Sequence, residues 1–128
     1  HCSWFNLPLP QEVHAAFSAH EHRFGVHAGE VETSMLLHLA PEQVQMARAQ
    51  NFASTSATRA QRFAILGNGK SAKLGWAMQD YNPAGAAGNA AQADAQRGQA
   101  LVEAAAQGLA QLLQEMHQLP LDTVGPAY

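Results

Sequence analysis

The sequence predicts an α/β fold, in which strands and helices share one core. Residues 2–7 form a short apolar and aromatic run that stops at Pro8, as a buried strand leading into a loop does. Three later segments repeat apolar residues at helical spacing. Residues 63–66 and 74–78 are apolar runs on either side of an Asn-Gly pair, and the second alternates with period two, which favours a hairpin.

The first two helical segments lie in the N-terminal half of the chain. One begins at Pro10, which suits the first turn of a helix, and extends to about residue 21. Residues 20–29 are polar and rich in histidine without a period, and no element is predicted there. The second helix carries apolar residues at positions 31, 35 and 39 and ends at Ala40, because the following Pro41 starts a new turn.

The third predicted helix is long and rich in alanine. Asn89 and Gln92 have the spacing of a capping box at its start, and Pro120 stops it. An apolar stripe from Leu101 to Met116 follows one face of this helix. Residues 50–60 are rich in Ser, Thr, Ala and Asn without a period, so they are predicted to form a loop, and residues 121–128 an extended tail.

Composition excludes several classes of protein. With 128 residues, 47% of them hydrophobic, the chain is one domain or part of one. Seven Lys and Arg against ten Asp and Glu leave no basic surface for nucleic acid, and no run of 18 or more apolar residues could span a membrane. The single Cys2 supports no disulfide framework, which favours a reducing, cytoplasmic compartment. Because the chain begins with His1, we expect a processed chain or part of a longer protein.

A glycine-rich segment at residues 67–71 ends in Gly-Lys-Ser, like a phosphate-binding loop. That motif requires a glycine where the chain has Ala64, and the residues that follow alternate like a strand instead of opening a helix. A hairpin turn is therefore the preferred interpretation.

Four histidines fall close together in the sequence: His14, His20, His22 and His27. Imidazole is a common metal ligand, but a site on one helix needs two histidines four residues apart, and this spacing is absent here. Surface or core histidines are therefore preferred over a self-contained metal site.

Residues 27–34 form the most specific segment of the chain. His27 lies just before a predicted helix, whose positive N-terminal end disfavours imidazolium and favours anions, so a neutral imidazole is expected. Glu30 and Glu32 fall in the first turn, where the helix dipole stabilises carboxylates, and both fit simple helix-start charges. The polar Thr33 and Ser34 that follow on an otherwise apolar helix indicate a face lining a polar cavity, which favours a site role for Glu32.

The His-Ala-Gly-Glu-Val-Glu-Thr-Ser sequence at residues 27–34, followed by Pro-Glu-Gln-Val at residues 41–44, resembles a signature of the creatininase (creatinine amidohydrolase) family. That signature reads His-Ala/Gly-Gly-x-x-Glu-Thr-Ser with a trailing Leu-x-Pro-x-x-Val. Residues 85–98 resemble the glycine loop and helix start that close the family's domain. The resemblance covers most of this chain, but only the C-terminal half of the family's domain.

The resemblance implies a three-layer α/β/α sandwich, of which residues 1–128 are the C-terminal part of a single creatininase-like domain. It implies metal-dependent hydrolysis of a C–N bond in a cyclic or linear amide, with a small-molecule amide as substrate. The family's divalent metal ions, zinc or manganese, are held by an N-terminal half that these residues do not include. A homo-oligomer, or association with that missing half, is expected, with no nucleic-acid or membrane partner.

The resemblance also assigns candidate site residues. His27 matches the family's catalytic histidine, which passes a proton to the leaving nitrogen, and Glu32 matches the glutamate of the motif. Trp4 roughly matches an aromatic residue that covers the substrate. Creatininase itself has an acidic residue where this chain has Val26, and Glu30 is the candidate to supply that substrate-binding carboxylate from the other side of His27.

The sequence leaves other functions open. Within the family, the same half-site would suit formamide hydrolysis in flavin-type cofactor synthesis or peptide trimming in redox-cofactor maturation. The alternative from another class is a non-catalytic interaction module, which self-associates or docks a partner through the apolar face of its long C-terminal helix.

Overall fold

Helices make up most of the fold. The computed structural model describes residues 7–67, 72, 75, 77–123 and 125. The α-helices of this part are α1 (Gln11–Ala15), α2 (Ala19–Phe24), α3 (Glu30–Leu39), α4 (Thr55–Arg62), α5 (Met78–Tyr81) and α6 (Ala95–Gln118). Two short strands, β1 (Asn51–Phe52) and β2 (Gly88–Asn89), pair antiparallel, and single 3-10 turns cover Pro41–Gln43, Met46–Arg48, Ala90–Gln92 and Leu121–Thr123.

The core lies where α1 and α3 pack against the first half of α6. Its buried residues are Val13, Phe17, Leu101 and Ala104, and Leu9, Val31 and Met35 pack around them. α3 and α6 approach so closely that a Cβ at Gly98 would overlap the backbone carbonyl of Ser34. Glycine is therefore required at this crossing, and the two helices are held together over most of α3.

The predictions for α3 and for the end of α6 are confirmed. α3 ends at Leu39, and Pro41 opens the predicted turn. α6 ends at Gln118, two residues before Pro120. The predicted start of α6 is wrong, because Asn89 belongs to β2 and pairs with Asn51. The helix begins at Ala95 instead, where the Asp94 side chain accepts a hydrogen bond from the Arg97 N–H at 2.9 Å.

The single helix predicted near residues 10–21 is two helices. The Ser18 hydroxyl accepts a hydrogen bond from the Glu21 N–H at 3.0 Å and starts α2, which extends into the histidine-rich stretch. The loop predicted at residues 50–60 is also wrong, because it contains β1 and most of α4. Ser54 caps α4 by accepting from the Ser56 N–H.

The predicted hairpin is not formed by the residues that the structure describes. Met78, which was expected in its second strand, begins α5, and Ile65 is 69% exposed. Leu66 makes only an isolated parallel bridge to Ala72. Leu74 and Trp76 lie outside the described residues, as does most of the predicted first strand at residues 2–7.

The described part of the chain is thus mostly helical with one small sheet. These elements do not confirm the predicted three-layer sandwich. The described ranges contain no larger sheet. Of the segments predicted as strands, residues 2–6, 74 and 76 lie outside these ranges, and residues 63–66 lie inside them but form no strand. None of the described helices is long and apolar enough to cross a membrane.

Candidate active site

His27 and Glu32 form a side-chain pair at the start of α3. The Nδ1 atom of His27 lies 3.1 Å from Oε2 of Glu32, and both side chains are about half exposed. The pair forms because Ala28 turns the chain with a left-handed φ of 52° directly after His27. Glu32 then lies in the first turn of α3, from which its carboxylate reaches back to the histidine.

The Ala28 backbone N–H donates to the same Glu32 oxygen at 2.5 Å. The Nδ1 atom of His27 faces this oxygen, which only accepts hydrogen bonds, so a proton on the imidazole is favoured at Nδ1. When the imidazole is neutral, its lone pair is then on Nε2. No described residue hydrogen-bonds Nε2, so this nitrogen is the one available to a reacting group.

The backbone of His27 is fixed by the segment that leads into β2. His27 and Ala87 form an antiparallel bridge, with hydrogen bonds of 2.8 Å from the Ala87 N–H and 3.2 Å from the His27 N–H. Val26 donates to the same Ala87 carbonyl at 2.8 Å, and Ala87 is completely buried. His27 is therefore held on an ordered backbone although its ring is exposed.

An open cavity of about 260 Å³ lies beside the pair. Its walls are formed by Gly25, Gly29 and the side chains of Glu21, His22, Val26, His27, Val31 and Glu32. The cavity therefore combines the imidazole of His27 with two carboxylates and two valines. This combination suits a small molecule with one reactive polar group.

Glu30 occupies a different environment from Glu32. Its side chain is 7% exposed, and its carboxylate is bound by the Arg97 guanidinium. Arg97 also donates to the carbonyls of Ala16, at 2.9 Å, and Gln92, and lies over the Phe17 ring at 5.2 Å. Glu30 does not line the cavity at His27, and its ion pair holds the start of α3 against α6.

The other predicted residues are dispersed. Trp4 lies outside the described residues. The ring of His14 stacks on that of His22 at 3.9 Å, and His20 packs on Phe24. Of these three histidines, His22 lines the cavity with His27. Across the described ranges, no group of three or more His, Cys, Asp or Glu side chains is arranged to hold a metal ion.

The sequence alone does not reveal that Glu21 is part of the site. In a sequence it resembles any exposed charge in a first helical turn, but the side chain is buried and lines the cavity. The sequence contains one relevant signal, the nearby Gly25 and Gly29, which leave room for the Glu21 side chain.

The family model for creatininase, described as creatinine amidohydrolase, matches residues 1–113. This chain belongs to the creatininase family. The resemblance predicted from residues 27–34 is thereby confirmed. The description of this family names an amidohydrolase, and proteins of the creatininase family are generally metal-dependent.

A solved relative has the same fold over nearly all of this chain. It is a proposed creatinine amidohydrolase from Bacteroides fragilis NCTC 9343, with 28% sequence identity and a TM-score of 0.66. The match covers 94% of this chain but 43% of the relative, so the chain spans less than half of that protein's length. No curated protein matches the chain.

Proposed function

We propose that this chain is the C-terminal part of a metal-dependent amidohydrolase that hydrolyses a C–N bond of a small cyclic or linear amide. The observation that carries this proposal is the His27–Glu32 pair beside a cavity, in which the described residues leave Nε2 of the imidazole without a hydrogen bond. Family membership supports the reaction class.

In this proposal His27 is the general acid and base. A neutral imidazole accepts a proton on Nε2 from the attacking water and returns it to the leaving nitrogen as the C–N bond breaks. Glu32 orients the ring through Nδ1 and stabilises the imidazolium that forms in between. The Ala28 N–H holds the Glu32 carboxylate in place for this purpose.

The metal ions of the family do not fit the side chains that the structure describes, because no metal-ligating cluster occurs among them. We therefore propose that the ligands for zinc or manganese lie in the part of the domain that these 128 residues do not include. The three-layer sandwich, a cytoplasmic location and a homo-oligomeric state are likewise proposed for the whole protein. Trp4 is proposed as a wall of the substrate pocket, and substrate binding by Glu30 stays a prediction.

The proposal is tested by amide hydrolysis with the whole protein that carries this chain. Release of ammonia or amine is measured for creatinine, other cyclic amides, formamides and short peptides, which also separates the family's alternative reactions. His27→Gln should lower kcat by about 10²–10⁴-fold, the range of general acid–base catalysis. His38 is an exposed histidine on α3, so His38→Gln is the matched control and should keep the wild-type rate. A wild-type protein that hydrolyses none of these amides with zinc or manganese present would contradict the proposal.

A second function has one observation in its favour. The outer half of α6 exposes Leu109, Leu113 and Met116 to 38%, 56% and 43%, and these residues recur at helical spacing on one face. An interaction module that associates through this face is the alternative. A monomeric whole protein by light scattering at micromolar concentration would count against self-association.

A further inference from the structure

Glu21 is a buried carboxylate between three backbone segments. It lies on α2 and is 5% exposed. Its Oε1 accepts a hydrogen bond from the Glu30 N–H at 2.6 Å, and its Oε2 accepts one from the Asn89 N–H at 3.0 Å. One side chain therefore connects α2 to the first residue of α3 and to the last residue of β2.

A carboxylate in this position is costly unless its oxygens are satisfied. No cationic side chain among the described residues pairs with Glu21, so the two backbone donors and the positive N-terminal end of α3 compensate for its burial. A neutral side chain of similar size would avoid the cost of burying a charge. Unlike such a neutral side chain, the carboxylate has two acceptor oxygens on one rigid group. They bind backbone donors on two different elements.

The backbone is shaped to admit this side chain. A Cβ at Gly29 would overlap Oε1 of Glu21, and a Cβ at Gly88 would lie 2.6 Å from the same oxygen. Gly88 also has a φ of 144°, which side chains other than glycine rarely adopt. The α3 start and β2 thus come together around the carboxylate, and both lack side chains where they meet it.

These connections enclose the segment that carries His27. Residues 25–29, here called the His27 loop, run from the end of α2 to the start of α3. Glu21 binds the residue that follows this loop, Glu30, and also binds Asn89, two residues after the Ala87 that pairs with the His27 backbone. The start of α3 and the end of β2, which hold the His27 loop on its two sides, therefore both donate hydrogen bonds to the Glu21 carboxylate.

We propose that Glu21 is a positioning residue, which holds the His27 loop between α3 and β2 so that His27 keeps its contact with Glu32. Its importance for turnover rests on the proposed function, whereas its effect on the geometry of His27 does not. Glu21 itself has both oxygens occupied by backbone donors, so it acts through His27 and Glu32 and not on the substrate.

The test is Glu21→Gln in the whole protein, with Glu42→Gln as an exposed control. A glutamine has the same shape but only one accepting oxygen, so one backbone donor loses its partner. Nitrogen-15 NMR of the His27 ring should show a changed Nδ1 signal, because the ring leaves its contact with Glu32, and kcat should fall about tenfold or more with little change in KM, while the control matches wild type. A folded Glu21→Gln protein with wild-type His27 signals and kcat overturns the proposal.

A second variant and a hydrogen-exchange measurement also test the positioning role of Glu21. If Glu21→Gln does not fold, Glu21→Asp keeps the charge but is too short to reach both donors, and it should shift the His27 signals in the same way. In the wild type, the Glu30 and Asn89 amide protons should exchange slowly with solvent, and fast exchange at either overturns the proposal. A wild type that is inactive on every amide, but whose His27 signals still move on Glu21→Gln, contradicts the proposed function and supports the positioning role.

Discussion

The carboxylate of Glu30 is bound by the guanidinium of Arg97, and this ion pair joins the first residue of α3 to the first turn of α6. Glu30 is almost fully buried, whereas Arg97 retains 28% of its side-chain exposure. The pair therefore connects the helix that carries Glu32 to the longest helix of the fold. Because Glu30 is buried, this ion pair contributes more to the placement of α3 than an exposed surface ion pair does.

Arg97→Ala should destabilise the protein, because it leaves the Glu30 carboxylate buried without its cation. The free energy of unfolding should fall by about 3 kcal/mol, at the lower end for a broken buried pair because Arg97 is partly exposed. Urea unfolding followed by circular dichroism measures this change. Arg48→Ala, at an exposed arginine, is the control and should cost less than about 0.5 kcal/mol. Equal losses in the two variants would show that the pair contributes nothing.

Gly98→Ala should disrupt the crossing of α3 and α6. The added methyl group would overlap the Ser34 carbonyl, and backbone cannot move aside as a side-chain end can. We expect a loss of about 3 kcal/mol in unfolding free energy, as for an overpacked site. Gly108→Ala on the same helix is the matched control, because its Cβ would meet Leu7 at an ordinary 3.7 Å. This variant should be neutral or gain about 0.5–1 kcal/mol from helix propensity. A stable Gly98→Ala protein would contradict the described packing.

Ser34→Ala should cost more than an ordinary surface substitution. Ser34 is completely buried; its hydroxyl donates to the Glu30 carbonyl at 2.6 Å and accepts from the Asp94 N–H at 2.9 Å. The alanine variant leaves the Asp94 N–H without this acceptor, at a cost of about 1–3 kcal/mol. Thermal unfolding of Ser34→Ala beside Ser34→Thr separates the lost hydroxyl from the change in volume. An unchanged melting temperature in the alanine variant would mean that water replaces the hydroxyl.

Ala28 should tolerate glycine but not valine. Its φ of 52° is easily reached by glycine, whereas a β-branched residue is strained there. Ala28→Val should therefore separate His27 from Glu32 and lower kcat in the whole protein, while Ala28→Gly keeps at least part of the activity. The two rates, measured on the best amide substrate, check this expectation. Equal rates would indicate that the left-handed turn is not needed for the pair.

The elements that could be predicted from the sequence are those whose own residues decide their structure. α3 and α6 have apolar residues at helical spacing, and Pro41 and Pro120 mark where they end. α4 and α5 are short and have no such period. They depend on contacts with the rest of the fold, and only Ser54 signals the start of α4.

The candidate site shows the same division. The position of His27 just before a helix, and of Glu32 in its first turn, could be predicted from the sequence order. The left-handed turn at Ala28 could not be, because alanine has no preference for that conformation. The burial of Glu21 and the pairing of Glu30 with Arg97 involve partners up to 68 residues away, and no local pattern indicates them.

His27 and Glu32 should act as one unit in amide hydrolysis, and a double-mutant cycle measures this coupling. The whole protein is assayed as wild type, His27→Gln, Glu32→Gln and the double variant, on the amide that it hydrolyses fastest. Because Glu32 acts only through the imidazole, the double variant should be no slower than His27→Gln alone, as is typical of residues that act as a unit. Independent losses that multiply in the double variant, or a wild-type rate in either single variant, would show that His27 and Glu32 do not act as a unit.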